Sequence, residues 1–129
     1  MSRRELVVPG LAEPISHYAD AVLADGILYV SGIVPVDATG ELVAPGDVVG
    51  QARQVFDVLG RVLGAAGGAP ADVAKVLVFL VDVDDRPRIN PVRQEFFGAA
   101  RPASTLVEVS RLAVPGALLE VEAVAHLRP

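Results

Sequence analysis

Cysteine and tryptophan are absent from the 129 residues, and only two histidines occur, His17 and His126. Without cysteine there is no disulfide, no thiolate nucleophile and no Cys-ligated metal site. Two histidines do not by themselves build a His-rich metal centre. The sequence therefore predicts a protein that works without a metal or another cofactor.

Long apolar runs are also lacking. The longest, residues 76–81, has six members, whereas a helix that spans a bilayer needs about 20. The N-terminal residues 1–6 (MSRREL) do not contain the apolar core of a signal peptide. We therefore expect a cytoplasmic protein with no membrane partner.

The charge balance is negative. Eleven Lys and Arg against 16 Asp and Glu give a net charge of −5, and the isoelectric point is about 4.9. An acidic surface repels phosphate backbones, which argues against nucleic acid as a partner. The negative charge, the few aromatics and the lack of a histidine pair also argue against RNA cleavage.

Apolar residues are abundant, at 52% of the chain with a mean hydropathy of +0.47. This length and composition predict one packed domain over residues 1–129. So apolar a small chain is expected to bury part of its surface against another subunit.

Turn signals and periodicity give the order of elements. Residues 5–8 form a short strand, and residues 19–30 form a hairpin around Asp25-Gly26, a dipeptide suited to positive φ. A helix begins after Asp47 and ends at Gly67-Gly68. Its apolar stripe consists of Val48, Ala52, Val55, Leu59, Val62 and Ala66.

The second half alternates in the same way. Residues 73–81 form a buried strand, and a second helix opens at residues 82–85 and closes at Gly98. Strands at residues 104–111 and 117–127 finish the chain. Strand–helix–strand links of this length imply right-handed crossovers with both helices on one sheet face. The fold class is an α+β sandwich of ferredoxin-like or chorismate-mutase-like type, with a mixed sheet.

The last strand carries two acids on one face. Its core face is uniformly apolar, while Glu120 and Glu122 share the opposite face with His126. Covered by another subunit, that face would raise the pKa of a carboxyl towards the range useful for acid–base catalysis.

An ordered set of short segments resembles the Rid (RidA/YjgF) family along nearly the whole chain. The segments are ISHY at 15–18, LYVSGIVPV at 28–36, TGE at 39–41, QARQ at 51–54, KVLVF at 75–79, Asn90, EFF at 95–97, RPASTLVEV at 101–109 and EVEAVA at 120–125. The resemblance implies a single RidA-like domain with a chorismate-mutase-like fold, assembled as a homotrimer with ligand clefts between subunits. It also implies hydrolysis of reactive enamines and imines to keto acids and ammonia.

The resemblance assigns site residues one by one. Tyr18 matches a tyrosine of the family site, Gly32 a glycine whose N–H orients substrate, and Glu120 a glutamate that holds water. Ser104 stands where the family has an arginine that pairs with the substrate carboxylate, so this chain resembles a divergent member. Leu106 replaces a cysteine of many members.

The remaining candidates lie around the same positions. Ile33 stands at a common glutamine, and Thr105 adds a second hydroxyl beside Ser104. Arg101, three residues before the missing arginine, could reach the same cleft. We expect Glu120 and Tyr18 to be catalytic, and Gly32, Ile33, Arg101, Ser104, Thr105 and Leu106 to bind substrate.

Two functions remain open. The first is cofactor-free deamination of a small enamine, imine or related metabolite in inter-subunit clefts. The alternative is a non-catalytic trimer that binds a small metabolite and regulates a partner, which the loss of the arginine at Ser104 favours.

Overall fold

A computed structural model describes residues 2–129 of the chain. The strands are β1 (Arg3–Leu6), β2 (Ala21–Ala24), β3 (Ile27–Ile33), β4 (Val73–Leu80), β5 (Ala103–Glu108) and β6 (Leu119–His126). The helices are α1 (Val48–Ala65) and α2 (Arg86–Phe97), each followed or preceded by a short 3₁₀ turn, Pro70–Asp72 and Val83–Asp85. The predicted element order is therefore confirmed, with the ends of the strands displaced by no more than three residues.

All six strands form one sheet in the order β1-β2-β3-β6-β4-β5. Only β4 and β5 are parallel, and α2 connects them as the predicted crossover; every other pair is antiparallel. The predicted α+β class with a mixed sheet is confirmed. The last two strands are not neighbours, because β6 inserts between β3 and β4.

The local sequence explains the turn of the first hairpin and both ends of α1. Asp25 and Gly26 both have positive φ, 52° and 78°, as a tight two-residue hairpin turn demands. Asp47 caps α1, since its side chain accepts a hydrogen bond from the Gly50 N–H at 3.1 Å. Past the end of the helix, Gly67 has φ 83° and terminates it.

The core lies between the two helices and one face of the sheet. Phe56 of α1 packs against two aromatics of α2, with ring centroids 5.2 Å from Phe96 and 5.9 Å from Phe97. Phe97 is the more buried of these two aromatics. None of the helices within residues 2–129 is long and apolar enough to cross a membrane.

Neither α1 nor α2 covers the other sheet face. Strand register and alternation place on it a mixture of apolar, acidic and polar side chains. They include Ile27, Tyr29, Lys75, Leu77, Phe79, Thr105, Val107, Glu120, Glu122, Val124 and His126. We call this the open face.

Candidate functional site

A cavity of about 260 Å³ opens between the loop before β2, the end of β3 and one side of α1. Three of the predicted site residues, Tyr18, Gly32 and Ile33, line it. The wall is mostly apolar. Its charged side chains are Glu13, Asp20, Asp37, Asp57 and Arg61, of which Arg61 is paired with Asp57 at 3.0 Å.

Hydrogen bonds to β3 hold the loop that carries Tyr18. The Ser31 hydroxyl donates to the carbonyl of Ala19 at 2.7 Å, and the Ser31 N–H donates to the carbonyl of Asp20 at 3.0 Å. The Asp20 carboxylate accepts from the Val8 N–H at 2.7 Å. Tyr18, 43% exposed, accepts from the Ile15 N–H at 3.3 Å. The ring is therefore held at the cavity but remains accessible.

A β-bulge brings Gly32 to the last strand. Val30 pairs with Ala123 and Ile33 with Val121, so β3 has one residue more than β6 over this stretch. At the bulge the Glu120 carboxylate lies against the Gly32 backbone. A Cβ at Gly32 would overlap the Oε2 atom and come within 2.9 Å of the Cδ atom of Glu120. Only glycine leaves room for this carboxylate.

Two causes raise the pKa of Glu120 above its ordinary value. The larger is burial, since the side chain is half-buried on the open face with Phe79 as its cross-strand neighbour. The second is repulsion from Glu122, which shares that face. A carboxyl with a raised pKa accepts and returns protons more readily near neutral pH than an ordinary glutamate.

The other predicted residues lie on β5, the edge strand. The Ser104 hydroxyl accepts from Nη2 of Arg93 at 2.7 Å, and the Thr105 hydroxyl accepts from the Lys75 ammonium at 3.1 Å. Leu106 is half-buried and packs against the core. Arg101 is exposed and forms no ion pair among the described residues.

One chain therefore holds the predicted site in two parts. Tyr18, Gly32, Ile33 and Glu120 form what we call the Glu120 half-site, and Ser104, Thr105 and Leu106 form the Ser104 half-site. Strands β6 and β4 lie between β3 and β5. Glu120 is on β6, so only β4 separates it from β5, about 10 Å across the sheet at about 4.8 Å per strand. Ser104 pairs with Val76 of the buried core, so its side chain is on the helix-covered face, whereas Glu120 is on the open face.

Arg93 is a polar group that the sequence reasoning missed. It lies near the C-terminal end of α2, eleven residues before Ser104. The signal was available in the β4–α2–β5 crossover, because a short connection after the helix places its last turns beside the start of the next strand. No group of three or more His, Asp or Glu side chains in residues 2–129 is arranged to hold a metal ion.

Comparisons with known proteins agree with this fold. Residues 10–127 match the family model described as Endoribonuclease L-PSP. The 3-aminoacrylate deaminase RutC of Acinetobacter baylyi is 41% identical over 125 residues, which cover 96% of this chain and 98% of that protein.

Two solved structures are also similar. The structure of YyfA from Yersinia pestis, a protein of the conserved Rid family, has a TM-score of 0.92 at 31% identity and covers 98% of this chain and 100% of its own. The structure of E. coli TdcF with bound serine has a TM-score of 0.86 at 32% identity and covers 97% and 100%.

Proposed function

The chain belongs to the Rid (RidA/YjgF) family, and from this premise we propose that it hydrolyses a small enamine or imine to a carbonyl compound and ammonia without a cofactor. The observation that carries the proposal is the half-buried Glu120 carboxylate, with its raised pKa, packed against Gly32 beside the cavity of Tyr18. The 41% identity to a 3-aminoacrylate deaminase supports the same reaction class.

Three groups of the Glu120 half-site take part in the proposed reaction. Tyr18 and the Gly32 N–H orient the substrate. The Glu120 carboxylate takes a proton from water while the water oxygen adds to the imine carbon. The protonated Glu120 returns that proton to the imine nitrogen, which gives a neutral carbinolamine. Glu120 then takes the proton of the carbinolamine hydroxyl and passes it to the amino nitrogen, so that the C–N bond breaks, the carbonyl forms and ammonia leaves. A carboxyl that must act first as a base and then as an acid benefits from a raised pKa.

The proposed active unit is a homotrimer. Within one chain, β4 separates Glu120 from Ser104 and the two side chains are on opposite faces of the sheet, so a cleft that uses both needs a second copy. The open face supports such an assembly, because Tyr29 and Val107 on it are 48% and 40% exposed. Apolar side chains on a sheet face are typical of a surface that another subunit covers.

A cytoplasmic location stays a prediction.

Ammonia release from 2-iminopropionate, generated in situ, tests the activity. We expect the wild-type protein to accelerate release over the buffer rate, and Glu120→Ala to lose about 100-fold or more of that acceleration. The matched control is Glu41→Ala, because Glu41 is an exposed acid outside both half-sites. Equal rates for the wild type and Glu120→Ala would refute the assignment of Glu120.

The same assay separates the alternative function. Ser104 carries no positive charge where the family pattern has a guanidinium, which favours a trimer that binds a metabolite without turning it over. Activity that is absent from the wild type and present in Ser104→Arg would support that alternative. The net charge of −5 argues against cleavage of RNA, in spite of the description of the family model.

A further inference from the structure

Arg93 differs from the other arginines that make side-chain contacts. Four arginines, Arg3, Arg61, Arg88 and Arg128, pair with a carboxylate at 2.7–3.2 Å, although their side chains are 63–75% exposed. Arg93 is half-buried, and no carboxylate of the described residues pairs with it. Arg93 is therefore more buried than these four arginines and, unlike them, has no carboxylate partner among the described residues.

The donors of Arg93 are largely unused. A guanidinium has five N–H groups, and the side-chain hydrogen bond that Arg93 makes within residues 2–129 is the one from Nη2 to the Ser104 hydroxyl, at 2.7 Å. Burial lowers the pKa of Arg93. No carboxylate offsets this cost, and a partly buried charge without a partner is unfavourable.

We propose that Arg93 and Ser104 together form a carboxylate-binding site at the start of β5. The Arg93 guanidinium supplies two parallel N–H donors, the geometry that a carboxylate accepts best. Ser104 accepts from Arg93 through its oxygen, so its own O–H proton stays free to donate a third hydrogen bond. Asn90, three residues earlier on α2, lies on the same helix face.

This site deepens the proposed function and rests on it for its role. In the cleft between copies, Arg93 of one chain would hold the carboxylate of the substrate while Glu120 of another copy works on its imine carbon. The substrate class is then a small 2-imino or 3-amino-acrylate-type acid rather than an uncharged imine. Arg101, the cation favoured on sequence position, is exposed and forms no ion pair among the described residues.

Binding of a stable carboxylate tests the site without catalysis. Isothermal titration calorimetry of the whole protein would use pyruvate as the probe and pyruvamide as the uncharged control. We expect pyruvate to bind, and Arg93→Gln to weaken it about tenfold or more. Arg93→Lys keeps the positive charge but not the two parallel N–H donors, so its affinity for pyruvate should lie between those of the wild type and Arg93→Gln.

Matched variants keep the test specific. Arg88→Gln removes a guanidinium from the same helix and should leave pyruvate affinity within about twofold. Arg101→Gln tests the rival cation that the sequence position favoured. Should Arg93→Gln fail to fold, Ser104→Ala removes the third donor and should still weaken pyruvate. No binding of pyruvate to the wild type, unchanged affinity in Ser104→Ala and Arg93→Gln, or loss on Arg101→Gln would overturn the proposal.

The outcomes separate this inference from the proposed function. Ammonia release with unchanged kcat/KM in Arg93→Gln would support the proposed deaminase activity and refute the carboxylate site. If pyruvate binding depends on Arg93 but the protein releases no ammonia from any imine tested, the result would support the carboxylate site and refute the deaminase activity.

Discussion

The Glu120 carboxylate lies against the backbone of Gly32, so close that a Cβ there would come within 2.9 Å of the Glu120 Cδ atom. The two residues are on adjacent strands, and the β-bulge between Val30 and Ile33 creates the approach. The glycine therefore has a positional role, because it leaves space for the proposed general base.

Gly32→Ala should remove activity with little effect on stability. The atom that must move is the end of a flexible side chain, so the fold can adjust by displacing the Glu120 carboxylate. We expect about a 100-fold loss in kcat/KM for imine hydrolysis and a free energy of unfolding within about 1 kcal/mol of wild type. Gly64→Ala is the control, since a Cβ at Gly64 meets no atom within 4 Å. Full activity in Gly32→Ala would contradict this role.

The acidic side of the pH–rate profile should depend on Glu122. Glu120 acts as a base only when ionised, so the rate should fall as the pH drops through its raised pKa. Repulsion from Glu122 contributes to that raised pKa. Glu122→Gln should therefore shift the acidic limb of kcat/KM to lower pH, whereas Glu41→Gln should leave it in place. An unmoved limb in Glu122→Gln would show that another group titrates.

Ionisation of Glu120 should lower the free energy of unfolding, whereas ionisation of a salt-bridged acid raises it. The pKa of Glu120 is higher in the folded state than its ordinary 4.5, so ionisation at neutral pH disfavours the folded chain. Glu120→Gln should be more stable than wild type at pH 7. The difference should shrink as the pH falls through the raised folded pKa and disappear below 4.5. Urea titrations at several pH values would measure it, and a constant difference would contradict the shift.

Gln51 should be a strong stability determinant although it carries no charge. It is fully buried on α1, and its amide donates to the carbonyls of Ala44 and Gly116 at 3.3 and 3.2 Å and accepts from the Leu118 N–H at 2.8 Å. These bonds hold the loop that leads into β6 and Glu120.

Gln51→Leu would leave those backbone groups unpaired in the interior. We expect it to lower the free energy of unfolding by about 3 kcal/mol, against about 1 kcal/mol for Gln54→Leu, which removes one bond to the Val36 carbonyl. Chemical denaturation of both variants would give the difference. Equal losses would mean that the Gln51 amide is replaceable by water.

The open face should control assembly. Val107 lies on it beside Phe79 and is 40% exposed, so a charge there would be buried in the proposed trimer at high cost. Light scattering should give three times the 13.4 kDa chain mass for wild type and a smaller species for Val107→Asp. Ala71→Asp, in the exposed turn before β4, should stay trimeric. A monomeric wild type would contradict the assembly.

Local features were predictable wherever their cause lies within a few residues. The Asp25-Gly26 turn, the Asp47 cap and the apolar stripe of α1 all appear as expected, because turn conformation, capping and helical periodicity depend on near neighbours. The fold class followed from the element order. The resemblance also pointed to Tyr18, Gly32 and Glu120. Tyr18 and Gly32 line one cavity and Glu120 contacts Gly32, while their roles stay predictions.

Long-range pairing was different. Nothing local to residues 119–126 indicates that β6 pairs between β3 and β4, yet this strand order puts the Glu120 carboxylate on Gly32 and moves Ser104 to the far edge. The contact between Arg93 and Ser104 likewise arises from the packing of α2 beside β5. Helices, turns and alternating faces are set by interactions between near neighbours in the chain, whereas strand order and register are set by contacts between distant segments, and these bring the chemical groups together.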